Sequence, residues 1–404
     1  MKDYKQTAIG RIPQDWEVKK IKDITYCTAG GTPNTSINGY WNGEIRWMNS
    51  GELNKKFVYE VEGRITKLGL EKSSTKILPK NCILIGLAGQ GKTRGTVAIN
   101  YIELCTNQSI GAIYPKYEIF NPIFLYYYLD TQYLELRKIS AGDGGRGGLN
   151  LKILNNLQIP LPPLKEQGKI AEILSTWDKA ISNLDELIAQ KQNLKTALMQ
   201  NLLSAKIRFK EFTTPWQEVK LGDILKEISE RNSNNNVDLV LSVTNKFGFV
   251  SQTDFFDKQV ASKDTSNYKI IRNGDFAYNP SRINIGSIAL LKNFDIGILS
   301  PMYVVFRCSN LIKNNFIKYW FSSYKFTGIL NDYLSGSVRD SLVFRDMKSI
   351  KILLPNLAEQ QKIAEVLSAC DDEINLLKDK LSNLKLQKQG LMQKLLTGKV
   401  RVRA

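Results

Sequence analysis

The chain has 404 residues, with 56 Lys and Arg against 39 Asp and Glu, a formal net charge of +17 and no histidine. That length exceeds what one hydrophobic core usually serves, so two or more domains are expected; the 43% hydrophobic and 24% charged content suits a folded chain. The positive surplus points to a polyanionic partner. The lack of histidine excludes Ser-His-Asp and Cys-His triads, imidazole zinc sites and histidine general bases.

The cysteines are Cys27, Cys82, Cys105, Cys308 and Cys370. Their odd number, wide spacing and lack of a CxxC pair argue against a disulfide framework or a zinc ribbon, and make the reducing cytoplasm the expected setting. The opening MKDYKQTAIGRIPQDW has no apolar core of a signal peptide. No stretch approaches the roughly 18–20 apolar residues of a membrane span.

From the N-terminus, Glu17-Val18-Lys19 reads as a first strand; it has the Glu-x-Lys half of a nuclease motif but no acidic partner upstream. The runs 82–89 and 96–104 are β-rich and separated by a Gly-rich loop. That loop, Gly86–Thr93, satisfies G-x-x-x-x-G-K-[ST], but a phosphate-cradling loop needs a helix directly after it. Gly95 and a β-branched alternation follow instead, so a polar hairpin loop is expected. Residues 122–139 read as a helix, and 142–148 as a flexible loop lacking the context of a dinucleotide fingerprint.

Residues 164–208 then form a long amphipathic segment. Its seam places Ile170, Leu174, Trp177, Ile181, Leu184 and Ile188 at alternating spacings of 4 and 3, the pattern of a coiled coil. Lys191 and Lys195 interrupt the seam, which predicts that part of it faces solvent or a partner. Beyond it, 237–245 and 301–308 read as strands and 315–330 as a helix. The last segment carries a second seam: Ile363, Leu367, Cys370, Ile374, Leu377, Leu381 and Leu384. Pro162-Pro163 and Pro355 precede the two seams, where proline suits a helix start, and Gly398 stands where a C-cap belongs.

The two seams are copies. Residues 164–208 and 357–401 align without a gap, with 20 of 45 positions identical. Weaker echoes precede them: DWEVKKIKDI (15–24) with PWQEVKLGDI (215–224), and RGTVAI (94–99) with IGSIAL (285–290). The chain is a duplicated unit, each copy a domain followed by a helical tail. Asn279-Pro280-Ser281 is not the flipped-adenine motif of amino-methyltransferases, and no strand-linked glycine motif for S-adenosylmethionine is present. No convincing catalytic constellation emerges.

These residues carry a resemblance that covers essentially the whole chain. PLPPLKEQGKIAE (160–172) and its second copy, GGTPNTSINGYWNGEIRWMNSGEL (30–53), LSVTNKFGFVSQTDFF (241–256) and LLTGKVRV (395–402) resemble the specificity subunits of type I restriction-modification systems. The resemblance implies an α+β fold, with two β-rich target-recognition domains separated by two long antiparallel coiled-coil helices in a pseudo-two-fold internal repeat. The expected segments are 1–160, 161–210, 211–352 and 353–404. It also implies a non-catalytic chain that reads a bipartite double-stranded DNA target, one half per recognition domain, with the helices setting the spacer. Two modification (methyltransferase) subunits and two restriction subunits are the implied partners. They, and not this chain, would use S-adenosylmethionine and ATP with Mg. The outer helix faces and the Glu-Gln-x-Lys-Ile-Ala-Glu segments are the expected docking surface.

Arg takes guanine and Asn or Gln takes adenine bidentately, whereas Lys more often meets phosphate. On that basis the DNA contacts expected in the first domain are Thr32, Asn34, Thr35, Arg46, Asn49, Ser50, Gln90, Lys92, Thr93, Arg94 and Arg146. In the second they are Arg231, Asn232, Thr244, Asn245, Lys246, Asn279, Ser281, Arg282, Asn284 and Arg339. The first domain's Gly30-Gly31-Thr32-Pro33 has no counterpart near Arg231, which predicts two different half-sites. The competing readings are a P-loop nucleic-acid-dependent ATPase built on Gly86–Thr93, and a coiled-coil scaffold with no DNA role.

Overall fold

The computed structural model describes residues 4–89, 91–140, 148–255, 264–334 and 341–402. Two helices of 39 residues run through it, α1 (Leu164–Leu202) and α2 (Leu357–Leu395). Each is about 58 Å long at a rise of ~1.5 Å per residue. Pro162-Pro163 and Pro355 stop the preceding strands, Gln158–Leu161 and Lys351–Leu354, and let each helix begin. Asn356 caps α2, its side-chain oxygen accepting from the Glu359 N–H at 2.9 Å.

The chain divides into two compact units that cut across the four segments drawn from sequence. The first joins residues 1–185 to 380–404, and the second is 186–379. Each unit therefore holds one recognition domain, one end of α1 and one end of α2. Inside each unit the helix ends run antiparallel. In the first, Glu166 meets Arg401 and Asp178 meets Lys388; in the second, Lys195 meets Asp371 and Arg208 meets Glu359.

In the first unit a sheet runs in the order Cys27–Ala29, Ile110–Ile113, Ile83–Gly86, Val97–Asn100, Phe57–Val58. The three middle strands are buried at every position, which is why their sequences are continuous apolar runs without alternation. The long strand Trp41–Met48 pairs with Arg64–Ile65 and Cys105–Thr106 beside it. The expected helix over 122–139 is two helices, Pro122–Thr131 and Tyr133–Ile139, interrupted at Gln132. Asn121 caps the first of them by accepting from the Ile123 and Phe124 N–H groups. The core gathers Trp16, Phe120, Phe124, Ile170 and Leu174 with Met392 and Leu395 of α2 and Leu396 just past its end.

In the second unit the order is Leu225–Ile228, Val304–Cys308, Phe276–Tyr278, Ile288–Leu290. The expected helix over 315–330 is again two, Asn314–Phe321 and Tyr324–Leu334, parted at Ser322-Ser323. Its core is aromatic: Phe276 stacks on Phe306 at 5.2 Å, and Phe321 packs on Phe326 at 4.9 Å. Leu202, Ile363 and Leu367 of the helices and Leu203 just past the end of α1 complete it.

Every seam position predicted from spacing is sheltered. Ile170, Leu174, Leu184, Ile188, Ile363, Leu367 and Ile374 are buried, and Trp177, Ile181, Cys370, Leu377, Leu381 and Leu384 are half-buried. The interrupting lysines do not open the seam as expected: Lys191 pairs with Glu373 at 2.6 Å and Lys195 with Asp371 at 2.5 Å. Their ammonium groups meet acids on the other helix, and that of Lys195 also lies 5.5 Å from the centre of the Tyr319 ring.

Candidate nucleic-acid interface

The loops stand on a frame that is repeated residue for residue. In the first unit the buried Glu166 carboxylate accepts from the Trp16 indole N–H at 3.0 Å and from Arg401 Nε and Nη2 at 2.8 Å each. In the second, Glu359 accepts from Trp216 at 3.1 Å and from Arg208 at 2.9 and 2.7 Å. The hydrogen bonds to Glu166 and Asp15 push the Arg401 pKa up. The neighbouring glutamine pins each helix start to its recognition domain. Gln167 accepts from the Asn121 N–H and donates to the Pro162 carbonyl, and Gln360 does the same with Lys313 and Pro355. The Glu-Gln pairs are therefore buried inside the chain, which corrects the expectation that they belong to a docking surface.

A second duplicated network lies along the helices. Tyr127 donates to Asp178 at 2.6 Å and Lys388 donates to the same carboxylate at 2.5 Å. Tyr319 and Lys195 do likewise to Asp371, at 2.7 and 2.5 Å. Burial works to raise the Asp371 pKa, but the hydrogen bonds from Lys195 and Tyr319 and the nearby Lys195 and Lys318 charges outweigh it. The result is a carboxyl held below its ordinary value. Burial, with the Asp371 bond adding to it, raises the Tyr319 phenol.

In the first unit several loop ends meet at one edge. The Gly31 N–H donates to the Thr106 carbonyl, Thr32 Oγ1 donates to Gln108, Asn107 N–H donates to Met48, and Leu87 N–H donates to Ser109. This brings Thr32, the Asn49-Ser50 turn and the loop after Gly86 together. A Cβ on Gly31 would lie 2.3 Å from Ser74 Oγ, so the close approach needs glycine. Asn34, Thr35 and Lys92 are exposed; Thr32, Ser50, Thr93 and Arg94 are half-buried. Asn49 caps the short turn Ser50–Lys55, and half-buried Arg46 reaches Glu60 at 3.4 Å. Gln90 and Arg146 lie outside the described residues, as does Arg339 of the second unit.

The chain after Lys92-Thr93 turns and enters the strand Val97–Asn100, antiparallel to Ile83–Gly86. No helix follows, so the arrangement is a hairpin loop and not a phosphate-binding loop. Two residues that the sequence reading missed hold it. Tyr133 donates its hydroxyl hydrogen to the Lys92 carbonyl at 3.1 Å, and Arg137 donates to the Gly91 carbonyl at 2.7 Å. The signal was present as two polar side chains four apart on a helix, but their partner is distant in sequence.

In the second unit Asn245, Lys246, Ser281, Arg282 and Asn284 are exposed. Thr244 closes the hairpin around Asn245 to Phe247, donating to the Gly248 carbonyl and accepting from the Phe247 N–H. Asn279 caps the short helix Pro280–Ile285, which takes the place of the first unit's Gly-rich loop. These two segments meet: a Cβ on Gly286 would stand 3.8 Å from the Asn245 Cβ. Arg231 is exposed and donates to the Asn267 carbonyl at 2.7 Å. Asn232 corrects the expectation of a DNA contact. It is 2% exposed, and its amide both donates to and accepts from Val237, bracing the polar turn between them.

Burial pushes the thiols of Cys27, Cys82 and Cys308 up to about 12, so none is a poised nucleophile. Both units thus present polar and basic loops on a shared frame.

Comparison with known proteins agrees with that arrangement. The family described as type I restriction modification DNA specificity domain matches twice, over residues 13–192 and 213–386. The chain is 34% identical over 247 residues to the type I restriction enzyme MjaIX specificity subunit of Methanocaldococcus jannaschii, covering 57% of this chain and 56% of that one. It is 26% identical to the MjaVIII specificity subunit of the same organism, covering 99% and 96% of the two chains. In fold it is similar to the type I restriction-modification S subunit of M. genitalium, with a TM-score of 0.58, 18% identity and coverage of 94% and 96%. A repeated frame, two sets of loops and a family match over most of both copies lead to one conclusion: this chain belongs to the type I restriction-modification DNA specificity family, whose domain it carries twice.

Proposed function

We propose that the chain is the DNA-reading subunit of a type I restriction-modification complex, in which each unit binds one half of a bipartite, asymmetric double-stranded target. The observation that carries this is a contrast. The Glu-Trp-Arg and Asp-Tyr-Lys networks repeat in both units, whereas the loops they support do not. A Gly-rich loop with Lys92 stands in one unit, and a capped short helix with Arg282 and Asn284 in the other. Equal frames with unequal loops suit two different half-sites. The excess of 56 basic over 39 acidic residues suits a phosphate backbone.

In this reading the chain is not itself an enzyme and binds no cofactor. It works in the cytoplasm. Among the described residues no helix is long and apolar enough to cross a membrane. Two modification subunits that use S-adenosylmethionine dock on the outer faces of α1 and α2, two restriction subunits that use ATP with Mg join them, and helix length sets the spacer. The test is methylation mapping. The chain is expressed with a type I modification subunit in a methylation-free host, and the genome is sequenced for N6-methyladenine. A split, asymmetric motif with a fixed spacer is the expected result. A folded complex that leaves no methylation would reject the reading.

A further inference from the structure

Three exposed apolar side chains stand on neighbouring segments of the second unit. Phe247 at the hairpin tip is 57% exposed, Ile285 at the end of the short helix 57%, and Met302 in the turn before Tyr303 61%. Close contacts join the segments that carry them. Asn245 abuts Gly286, the residue after Ile285, and the Ser287 hydroxyl donates to the Val243 carbonyl at 3.2 Å. Asn279 caps the short helix, donates its N–H to Ser287, and has its amide 3.9 Å from Met302 Sδ. Gly248, at φ 65, turns the tip back and leaves Phe247 at its apex.

Single exposed apolar residues are ordinary on any surface, but this cluster has unusual company. The same segments carry Lys246, Arg282, Asn245, Ser281 and Asn284, all exposed, and the Lys246 ammonium lies 5.1 Å from the centre of the Phe247 ring. The three segments that form it, residues 244–248, 279–287 and 300–303, contain two cations and not one acidic residue. A protein-docking patch is depleted in Lys and Ser. Apolar tips set among cations and amides suit a duplex whose phosphates take the charge while the tips enter the base stack.

We propose that Phe247 and Ile285, supported by Met302, form a wedge that enters a base step of the half-site read by the second unit, beside the base contact of Arg282 and with Lys246 reaching a flanking phosphate. This rests on the DNA-reading role proposed above, and it adds an unstacking step that the role does not require.

The test uses the full chain and duplexes that it selects itself from a random-sequence pool. 2-Aminopurine is placed at successive positions across the half-site whose contacts are lost in Arg282→Ala. Binding of the wild-type chain is expected to raise fluorescence severalfold at one step. Phe247→Ala and Ile285→Ala should each abolish that rise while leaving the salt dependence of binding unchanged, because neither carries charge. Ile285→Ala is expected to unfold at the wild-type temperature; Phe247→Ala also gives up the contact of its ring with the Lys246 ammonium, so its thermal unfolding is measured alongside to show that the variant is folded. A footprint over the half-site with no fluorescent step, or a rise that survives both substitutions, would overturn the wedge. So would weaker binding in Phe247→Ala without any fluorescent step in the wild type, which is the outcome of a thymine-methyl contact. Failure of the chain to enrich any duplex would reject the DNA-reading role itself, and the wedge with it.

Discussion

Ala205 holds in the second unit the left-handed backbone position that Gly398 holds in the first, with φ of 58° and 69°. Both lie three residues past the end of a long helix, in matching copies of the repeat. The two positions differ in their neighbours. A Cβ on Gly398 would stand 2.4 Å from the Pro13 ring of the N-terminal hairpin. Gly398→Ala should therefore lower the unfolding midpoint strongly. Ala205→Gly should stabilise by about 0.5–1 kcal/mol, the left-handed penalty less the added chain entropy. Urea unfolding of the two variants checks this, and a loss in Ala205→Gly would contradict it.

The Glu166 carboxylate serves the buried Trp16 indole and Arg401 together. Glu166→Ala leaves the indole N–H without an acceptor, at a cost of about 1–3 kcal/mol. Trp16→Phe removes the donor, so adding it to Glu166→Ala should cost less than it does alone. A double-mutant cycle by chemical denaturation measures the coupling, and strict additivity would mean that the indole bond contributes nothing.

Asp371 makes stability pH-dependent. Its pKa is lower in the folded chain than in the unfolded one, where about 3.9 is expected. Its contribution is thus fully present above that value and lost as pH falls through the lower folded value. Asp371→Asn should be less stable than the wild type at pH 7, and the gap should narrow as the pH is taken below about 4. Thermal melts across that range give the comparison; a gap that stays constant would remove Asp371 from the account.

On DNA, Arg282→Ala should weaken binding by about 1–3 kcal/mol and relax specificity in the second half-site alone. Lys92→Ala should weaken binding evenly across sequences and reduce the salt slope by about 1. Asn232→Ala should act through stability, because its amide braces a turn. Binding titrations on duplexes altered in one half-site separate these cases. Equal losses at both half-sites for Arg282→Ala would argue against local base reading.

Helix length can be tested directly. Seven residues added to both α1 and α2 lengthen each by about 10 Å. In the proposed role the methylated motif should then gain a spacer of about 3 base pairs at ~3.4 Å each. An unchanged spacer would count against the helices as its determinant.

The duplicated architecture was legible in the sequence because it rests on local pattern. The 4-and-3 spacing from Ile363 to Leu384 predicted a sheltered seam, and the chemistry after Thr93 predicted a strand where a phosphate-binding loop needs a helix. What escaped was non-local. Lys195 looked like a break in the seam because its partner, Asp371, lies 176 positions away. Glu166 and Gln167 looked like a surface motif because their partners come from Arg401, Trp16 and Asn121. Asn232 was indistinguishable by type from a base-reading amide, and only the turn folded over it shows its work. The apolar tips Phe247 and Ile285 went unweighed because polar residues were the ones sought for base contacts.

The division of the chain also sets an order of assembly. The second unit is contiguous, residues 186–379, whereas the first needs residues 380–404 to finish its core. Met392, Leu395 and Leu396 pack into that core, and Arg401 reaches back across 386 positions to Asp15. On the ribosome domains ordinarily fold in the order in which they emerge. Here the order inverts. The N-terminal recognition domain must wait with part of its apolar surface uncovered until the last turn of α2 is released. The half of the chain made first can complete its core only after the half made second has followed it.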